Sequence, residues 1–230
     1  MKTLAFDTST KFLTIALFDG DRVVSEYHRD EGVRHSEILV PTVKQCLNEA
    51  DWTLSEIGLI ALGVGPGSFT GLRVGVATVK AFATANKNMK IAAVPTMDGI
   101  ARRYEPGAGT RLGVALLDAR KGKVYACLYD YSGGAPVNRS GCLLVELDKY
   151  LSELKDETVF FGDAVEKNGD IFKKYPLAKV VKDLDWYPRA VDIGRLGIAL
   201  AKDGKTVTPG ELDPIYLHAR DCNVVMREAR

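Results

Sequence analysis

The chain has 230 residues, and its 31 Lys plus Arg against 30 Asp plus Glu leave a formal charge of +1. Apolar residues make up 46% and charged residues 27%, an ordinary globular balance that excludes disorder over most of the length. Basic and acidic residues interleave. That argues against a chain that grips nucleic acid alone, which would carry a basic excess or stripe, and leaves open a role beside a nucleic-acid binder. The length suits one large domain or two small ones.

The most apolar stretch, residues 57–64, is far short of the ~20 residues that span a bilayer. Asp7 interrupts the first apolar run too early for a secretory leader. Cys46, Cys127, Cys142 and Cys222 are widely spaced with no Cys-x-x-Cys pair. This predicts reduced thiols in a cytoplasmic protein, buried as small hydrophobes, and speaks against a zinc site.

Three antiparallel strands are predicted first, over residues 3–7, 12–19 and 22–29, the last two joined by Asp19-Gly20-Asp21, a tight-turn signal. A helix follows over 36–50, with Leu39, Val43, Cys46, Leu47 and Ala50 at helical spacing. Pro41 bends or weakens its first turns. Residues 59–64 read as a buried strand, broken by Gly65-Pro66-Gly67-Ser68. A second helix is predicted over 69–86, a short strand over 91–94 and a short helix over 96–104 with Thr96 as its cap.

Glu105-Pro106-Gly107-Ala108-Gly109 reads as the linker, after which the pattern restarts. Residues 112–118 form an apolar strand ending in Asp118, and 123–130 a second strand before a Ser132-Gly133-Gly134 turn. Asp7 to Asp118 and Asp19 to Asp130 are both separations of 111 residues. The repeated unit is an apolar strand ending in Asp, a tight turn, a second strand and a Gly-bearing turn. This points to duplication, although two meanders can share such a pattern by chance. Later, 158–161 read as a strand and 188–202 as a helix, with Ile193, Leu196, Gly197, Leu200 and Ala201 on one face and Gly204 as its stop. Tyr216 and Leu217 read as anchored, and residues 227–230 as a fraying end.

Gly65-Pro66-Gly67-Ser68-Phe69-Thr70-Gly71-Leu72-Arg73-Val74-Gly75 is the most informative segment. A Gly-rich turn opening a helix suits phosphate. However, no lysine follows Gly71, as a nucleotide P-loop requires, and Thr70 stands where the dinucleotide fingerprint has glycine. Gly71 and Gly75 share a helix edge that admits close backbone approach, while Phe69, Leu72, Val76, Val79 and Ala83 form an apolar stripe. Such a helix is expected to be buried on two sides, one its own sheet and the other either a second protein or another part of the same chain. If the glycine edge is the protein–protein side, Gly75→Leu breaks pairing and leaves the isolated fold intact.

Asp7-Thr8-Ser9-Thr10 and Asp118-Ala119-Arg120-Lys121-Gly122 occupy equivalent turns. Two such aspartates can flank a metal-bound phosphate, or simply cap local amides. His35 has leucine four residues on, so it lacks the partner of a helical metal pair; His28 and His218 are isolated. No serine has a His/Asp partner at readable spacing.

With Leu4-Ala5-Phe6-Asp7-Thr8-Ser9-Thr10, the Lys123-Val124-Tyr125 that follows the second turn, and Pro214-Ile215-Tyr216-Leu217, the long glycine motif resembles the bacterial TsaB (YeaZ) family over nearly the whole chain. The resemblance implies an α/β, actin-like (ASKHA) duplicated ribonuclease-H-like fold, with two lobes of mixed sheet flanked by helices at about 1–105 and 106–230. It implies a non-catalytic, cytoplasmic partner of TsaD in forming N6-threonylcarbamoyladenosine in tRNAs that read codons beginning with adenine. Further implied partners are TsaE through the complex, a second copy when alone, and tRNA only within the complex, with no membrane.

The interface residues it implies are Phe69, Gly71, Leu72, Gly75 and Val76. Asp7, Thr8, Ser9 and Asp118 remain as a candidate vestigial nucleotide site. No metal and no resident cofactor is implied, and ATP or ADP at the partner interface stays open. The rival readings are a small-molecule kinase or ATPase of the same superfamily, using Asp7 and Asp118, and an M22-type peptidase with Ser68 as a nucleophile. One departure is His218, where relatives often carry arginine.

Overall fold

The computed structural model describes residues 1–32, 34–107, 111–181 and 186–217. Its first half holds β1 (Lys2–Asp7), β2 (Phe12–Asp19), β3 (Arg22–Asp30), α1 (His35–Glu49), β4 (Leu59–Gly63), α2 (Phe69–Ala85), β5 (Lys90–Val94) and α3 (Thr96–Ala101). A single 3-10 turn lies at Leu54–Glu56. The second half holds β6 (Leu112–Asp118), β7 (Lys123–Asp130), β8 (Val137–Glu146), α4 (Leu147–Ser152), β9 (Thr158–Phe161), α5 (Asp163–Lys167), α6 (Gly169–Phe172), β10 (Ala178–Val180) and α7 (Ala190–Lys202).

The two five-stranded sheets have one topology. The first runs β3-β2-β1-β4-β5 and the second, taken from its other edge, β8-β7-β6-β9-β10. Pairing senses match position by position: β1–β2, β2–β3, β6–β7 and β7–β8 are antiparallel, while β1–β4, β4–β5, β6–β9 and β9–β10 are parallel. This is the duplicated actin-like arrangement.

The sheets divide the chain between β5 and β6, but the helices do not follow that division. α3, from the first half, buries Met97, Ile100 and Ala101 against Ala115, Leu117 and Phe161 of the second sheet. Tyr129 donates to Asp98 at 2.7 Å, and Tyr131 to the Ala101 carbonyl at 2.8 Å. Conversely α7, from the second half, covers the first sheet. Each half of the chain thus supplies one sheet and lends a helix to the sheet of the other half.

The fit of α7 is legible in the register. Ala16, Ala5, Ala61 and Ala92 pair in one continuous row across β2, β1, β4 and β5. Their small side chains make a shallow floor. Gly197 presses on Ala61 and Gly194 on Phe18 and Ala5, where any Cβ would collide. Ala190, Ile193 and Ile198 fill the remainder. Leu196 and Leu200, expected on the buried face, are only partly covered.

The opposite face of the first sheet carries Leu4, Phe6, Ile15, Ile60 and Leu62 against Leu39 and Val43 of α1 and Val76 and Val79 of α2. Fully burying such side chains contributes about 1.5–3 kcal/mol each, so this double-sided core dominates the first lobe.

Two further expectations need correction. Cys127 and Cys142 form a disulfide and are not free thiols. They face each other across β7–β8 with Cα atoms 4.6 Å apart, a span a disulfide bridges, and only sheet register reveals that proximity. Cys46 is free and buried, while Cys222 and His218 lie outside the described residues. Thr96 is not a cap: it is the first residue of α3, preceded by Pro95, and its hydroxyl serves Asp7 instead.

Candidate functional site

A cleft of about 740 Å³ opens between the two sheets, lined by Ser9, Lys11, His35, Ser68, Asp118 and Lys167 among others. Its walls are the two equivalent turns, after β1 and after β6, and the loop that opens α2.

Asp7 is fully buried. Its Oδ1 accepts from the Ser9 amide at 2.7 Å and its Oδ2 from the Thr96 hydroxyl at 2.7 Å. Gly63 leaves room for the carboxylate, since a Cβ there would overlap it. Burial pushes the Asp7 carboxyl above its ordinary value, opposed by the Ser9 and Thr96 bonds. Asp118 is the counterpart. Its Oδ1 accepts from the Arg120 amide at 2.8 Å and its Oδ2 from Lys167 Nζ at 2.6 Å. Partial burial pushes that carboxyl up, but the Lys167 and Arg120 bonds hold it below the ordinary range. Both aspartates therefore cap the amide two residues on, as local Asx turns do. Of the four candidate nucleotide residues, Ser9 and Asp118 line the cleft, whereas Asp7 and Thr8 sit behind it.

Several donors of the glycine loop are spent inside the chain. The Ser68 amide donates to the Ser9 carbonyl at 2.6 Å, the Gly71 amide to Ser68 Oγ at 3.3 Å and the Leu72 amide to the Ser68 carbonyl at 2.9 Å. Amides committed in this way are not the open anion cradle of a nucleotide loop. Each carboxylate, of Asp7 and of Asp118, has two hydrogen-bond partners inside the chain. Ser68 Oγ works as the N-cap of α2, which accounts for it without a nucleophile's role. His35 is buried at the cleft wall and Leu39 is in the core. Among the described residues, no three His, Cys, Asp or Glu gather to hold a metal.

Four of the five implied interface residues pack inside the chain. Gly71 packs on the Thr8 carbonyl, and a Cβ on Gly75 would stand 2.7 Å from Thr8 Oγ1 and 3.1 Å from Leu62. Leu72 and Val76 are in the core. The glycine edge is therefore the contact with the chain's own sheet, needed because β1 and its turn cross directly beneath the helix. Of the five implied residues only Phe69 is outward, at 48% exposure. Its ring tilts against that of Tyr216 with centroids 5.0 Å apart and lies under the Arg73 guanidinium at 3.9 Å.

The outward edge of α2 is Thr70, Arg73, Ala77 and Ala81, with Val74 half-buried beside it. α1 packs alongside and exposes Val40 at 50%. This edge has no carboxylate, and beyond Arg73 its side chains are small. Its three- and four-residue spacing was readable in the sequence, but nothing local distinguishes an alanine edge facing solvent from one facing a sheet. Among the described residues, no helix is long and apolar enough to cross a membrane.

Comparison with known proteins agrees with this architecture. A family model for TsaD, tRNA N6-adenosine threonylcarbamoyltransferase, matches residues 27–185. The tRNA threonylcarbamoyladenosine biosynthesis protein TsaB of Bacillus subtilis is 35% identical over 164 residues, 70% of each chain. TsaB of Escherichia coli is 28% identical over 222 residues, 94% of each chain. YeaZ from Pseudomonas aeruginosa superposes with a TM-score of 0.78 at 26% identity, covering 94% of this chain and 99% of that one. Another Pseudomonas aeruginosa structure, described as similar to the peptidase YeaZ, gives a TM-score of 0.80 with the same coverage and identity. The chain belongs to the TsaB (YeaZ) family of tRNA threonylcarbamoyladenosine biosynthesis proteins.

Proposed function

We propose that this chain acts in threonylcarbamoyladenosine formation as a non-catalytic partner of a TsaD-family transferase, pairing through the outward edge of α2 and the exposed face of α1. The observation that carries this reading is that edge: the small, exposed Ala77 and Ala81 beyond Arg73, with the exposed Phe69 at its N-terminal end, on a helix that packs tightly to its own sheet and alongside α1. Small residues let a partner helix approach closely, and an aromatic anchor at the end of the stripe is the kind of residue that dominates interface energetics. The function follows as a coupling: binding this face favours the competent state of the partner, by as much as the face prefers that state.

On this reading the chain works in the cytoplasm, meets a TsaE-type ATPase and tRNA only through the complex, and pairs with a second copy through the same face when alone. It holds no metal or nucleotide of its own. The enclosure of Asp7 and the Lys167 partner of Asp118 support that over the kinase alternative. The capping role of Ser68 supports it over the peptidase alternative.

The test is reconstituted threonylcarbamoylation of tRNA with TsaD, TsaE and the adenylate-forming enzyme, with and without this chain. Activity that depends on the chain, and is retained by Asp7→Asn and Asp118→Asn variants, supports the reading. Independence from the chain, or loss in both variants with the fold intact, overturns it.

A further inference from the structure

Residues 213–217 run back along α2, from its later turns to its first. Asp213 Oδ1 lies 4.0 Å from Lys80 Nζ. The Ile215 amide donates to the Val64 carbonyl at 2.8 Å, and Tyr216 reaches Phe69 and Arg73. The side chains alternate. Ile215 packs on the core that the first sheet forms with α1 and α2, and Leu217 on the core that the second sheet forms with α3. Tyr216, between them, turns to α2. The segment is therefore fastened to both halves of the chain, one residue to either side of the Tyr216 ring.

Phe69 sits where such a support matters. It is 48% exposed on the first turn of α2, yet it also lines the cleft, together with Val74, Leu117, Tyr125, Ile215 and Leu217. An aromatic ring at the rim of a cleft with those side chains in its wall can stand outward, or turn inward and shed water. Two contacts hold the outward position. The Phe69 and Tyr216 rings meet with centroids 5.0 Å apart and planes at 41°, inside the range of favourable aromatic pairs. The Arg73 guanidinium, one helical turn on, covers the Phe69 ring at 3.9 Å. Arg73 Nε in turn donates to Tyr216 Oη at 3.3 Å. The three side chains close a triangle: ring against ring, cation on ring, and cation to hydroxyl. Loss of any member leaves the other two with one contact in place of two.

We infer that Tyr216 is a positioning residue of the pairing face: with Arg73 it holds Phe69 outward, in the pose that an apolar hollow on the partner receives. The inference rests on the proposed pairing with a TsaD-family transferase. It extends that face from α1 and α2 to a residue 143 positions beyond Arg73 in the chain. An anchor already held in its bound pose loses less freedom on binding. Tyr216 thus acts on affinity through Phe69, and its ring carries more of the effect than its hydroxyl.

The test measures the dissociation constant of the full chain with its TsaD-family partner, for the parent, Tyr216→Ala, Tyr216→Phe, Phe69→Ala and the Phe69→Ala/Tyr216→Ala double variant. Tyr216→Ala is expected to weaken pairing about 3- to 10-fold, the size of one aromatic pair. Tyr216→Phe keeps the ring contact and should restore most of that loss. In the Phe69→Ala background, Tyr216→Ala should change nothing further, because the ring it positions is gone. A segment that matters only as structure costs the same in both backgrounds; that result overturns the inference, as does parent-like pairing of Tyr216→Ala. Should Tyr216→Ala not fold, Arg73→Gln, at an exposed side chain, carries the same cycle against Phe69→Ala. Pairing that Ala81→Glu breaks but Phe69→Ala and Tyr216→Ala leave untouched overturns this inference and keeps the α2-edge reading. Pairing that survives Ala77→Glu and Ala81→Glu, yet shows the Phe69–Tyr216 coupling, removes the edge reading and leaves this one standing. A parent chain that does not pair overturns both.

Discussion

Gly71 lies against the carbonyl of Thr8, and the Thr8 hydroxyl donates to the Gly71 carbonyl at 2.8 Å. This contact welds α2 to the turn after β1 and explains why the helix carries glycine where alanine would favour it by about 1 kcal/mol. It also reverses the consequence of substitution on that edge.

Gly75→Leu is therefore expected to destabilise the isolated chain. The new side chain must displace Thr8 and Leu62, and overpacking of this kind costs about 1–3 kcal/mol or more. Urea denaturation of the isolated chain checks this. A midpoint equal to that of the parent would put the glycine edge back at a free surface.

Ala77→Glu and Ala81→Glu are expected to do the opposite. Both positions are exposed, and surface substitutions move stability by only ~0.5 kcal/mol. Each nonetheless places a charge in the proposed interface, so pairing with the partner should weaken at least ~10-fold. Size exclusion at micromolar concentration reads the outcome; pairing that survives both changes moves the interface elsewhere.

Asp7→Asn is expected to gain on the parent protein as pH rises. The folded carboxyl is pushed above its ordinary value of 3.8, chiefly by burial. The stability this group contributes is therefore fully present below its unfolded value and is lost as pH climbs through the folded one. Asparagine still accepts from the Ser9 amide and does not titrate. Thermal midpoints at about pH 4 and pH 7 give the sign, and a parent protein that gains on the variant over that interval contradicts it.

Cys142→Ser is expected to cost about 3 kcal/mol, the chain-entropy value for a loop of this size, whose cysteines are 15 residues apart. A reducing agent should lower the parent protein to the same level and leave the variant unmoved. Equal midpoints for the oxidised parent and the variant would mean that β8 is held by its ladder alone.

Much of the fold was legible locally. The strands ending in Asp7 and Asp118, the turns that follow and the long helix after the glycine loop all announce themselves through short-range periodicity and turn chemistry. β7 spans Lys123–Asp130, the boundaries the sequence predicts. β8 and β10 were not legible: β8 is an edge strand with most of its residues exposed and no alternation, and β10 has three residues. Their strand character comes from the neighbour they pair with.

The sequence by itself determined which segments bury apolar surface, where the unit repeats, and that α2 has two distinct edges, because these depend on residue type and spacing along one element. Tertiary structure alone decided which edge faces inward, which sheet each of α3 and α7 covers, and that Cys127 meets Cys142. Those outcomes depend on distances between segments far apart in the chain. The closeness of Gly71 to Thr8, or of Gly197 to the alanine row, exists only once strands have registered and a helix has crossed over them.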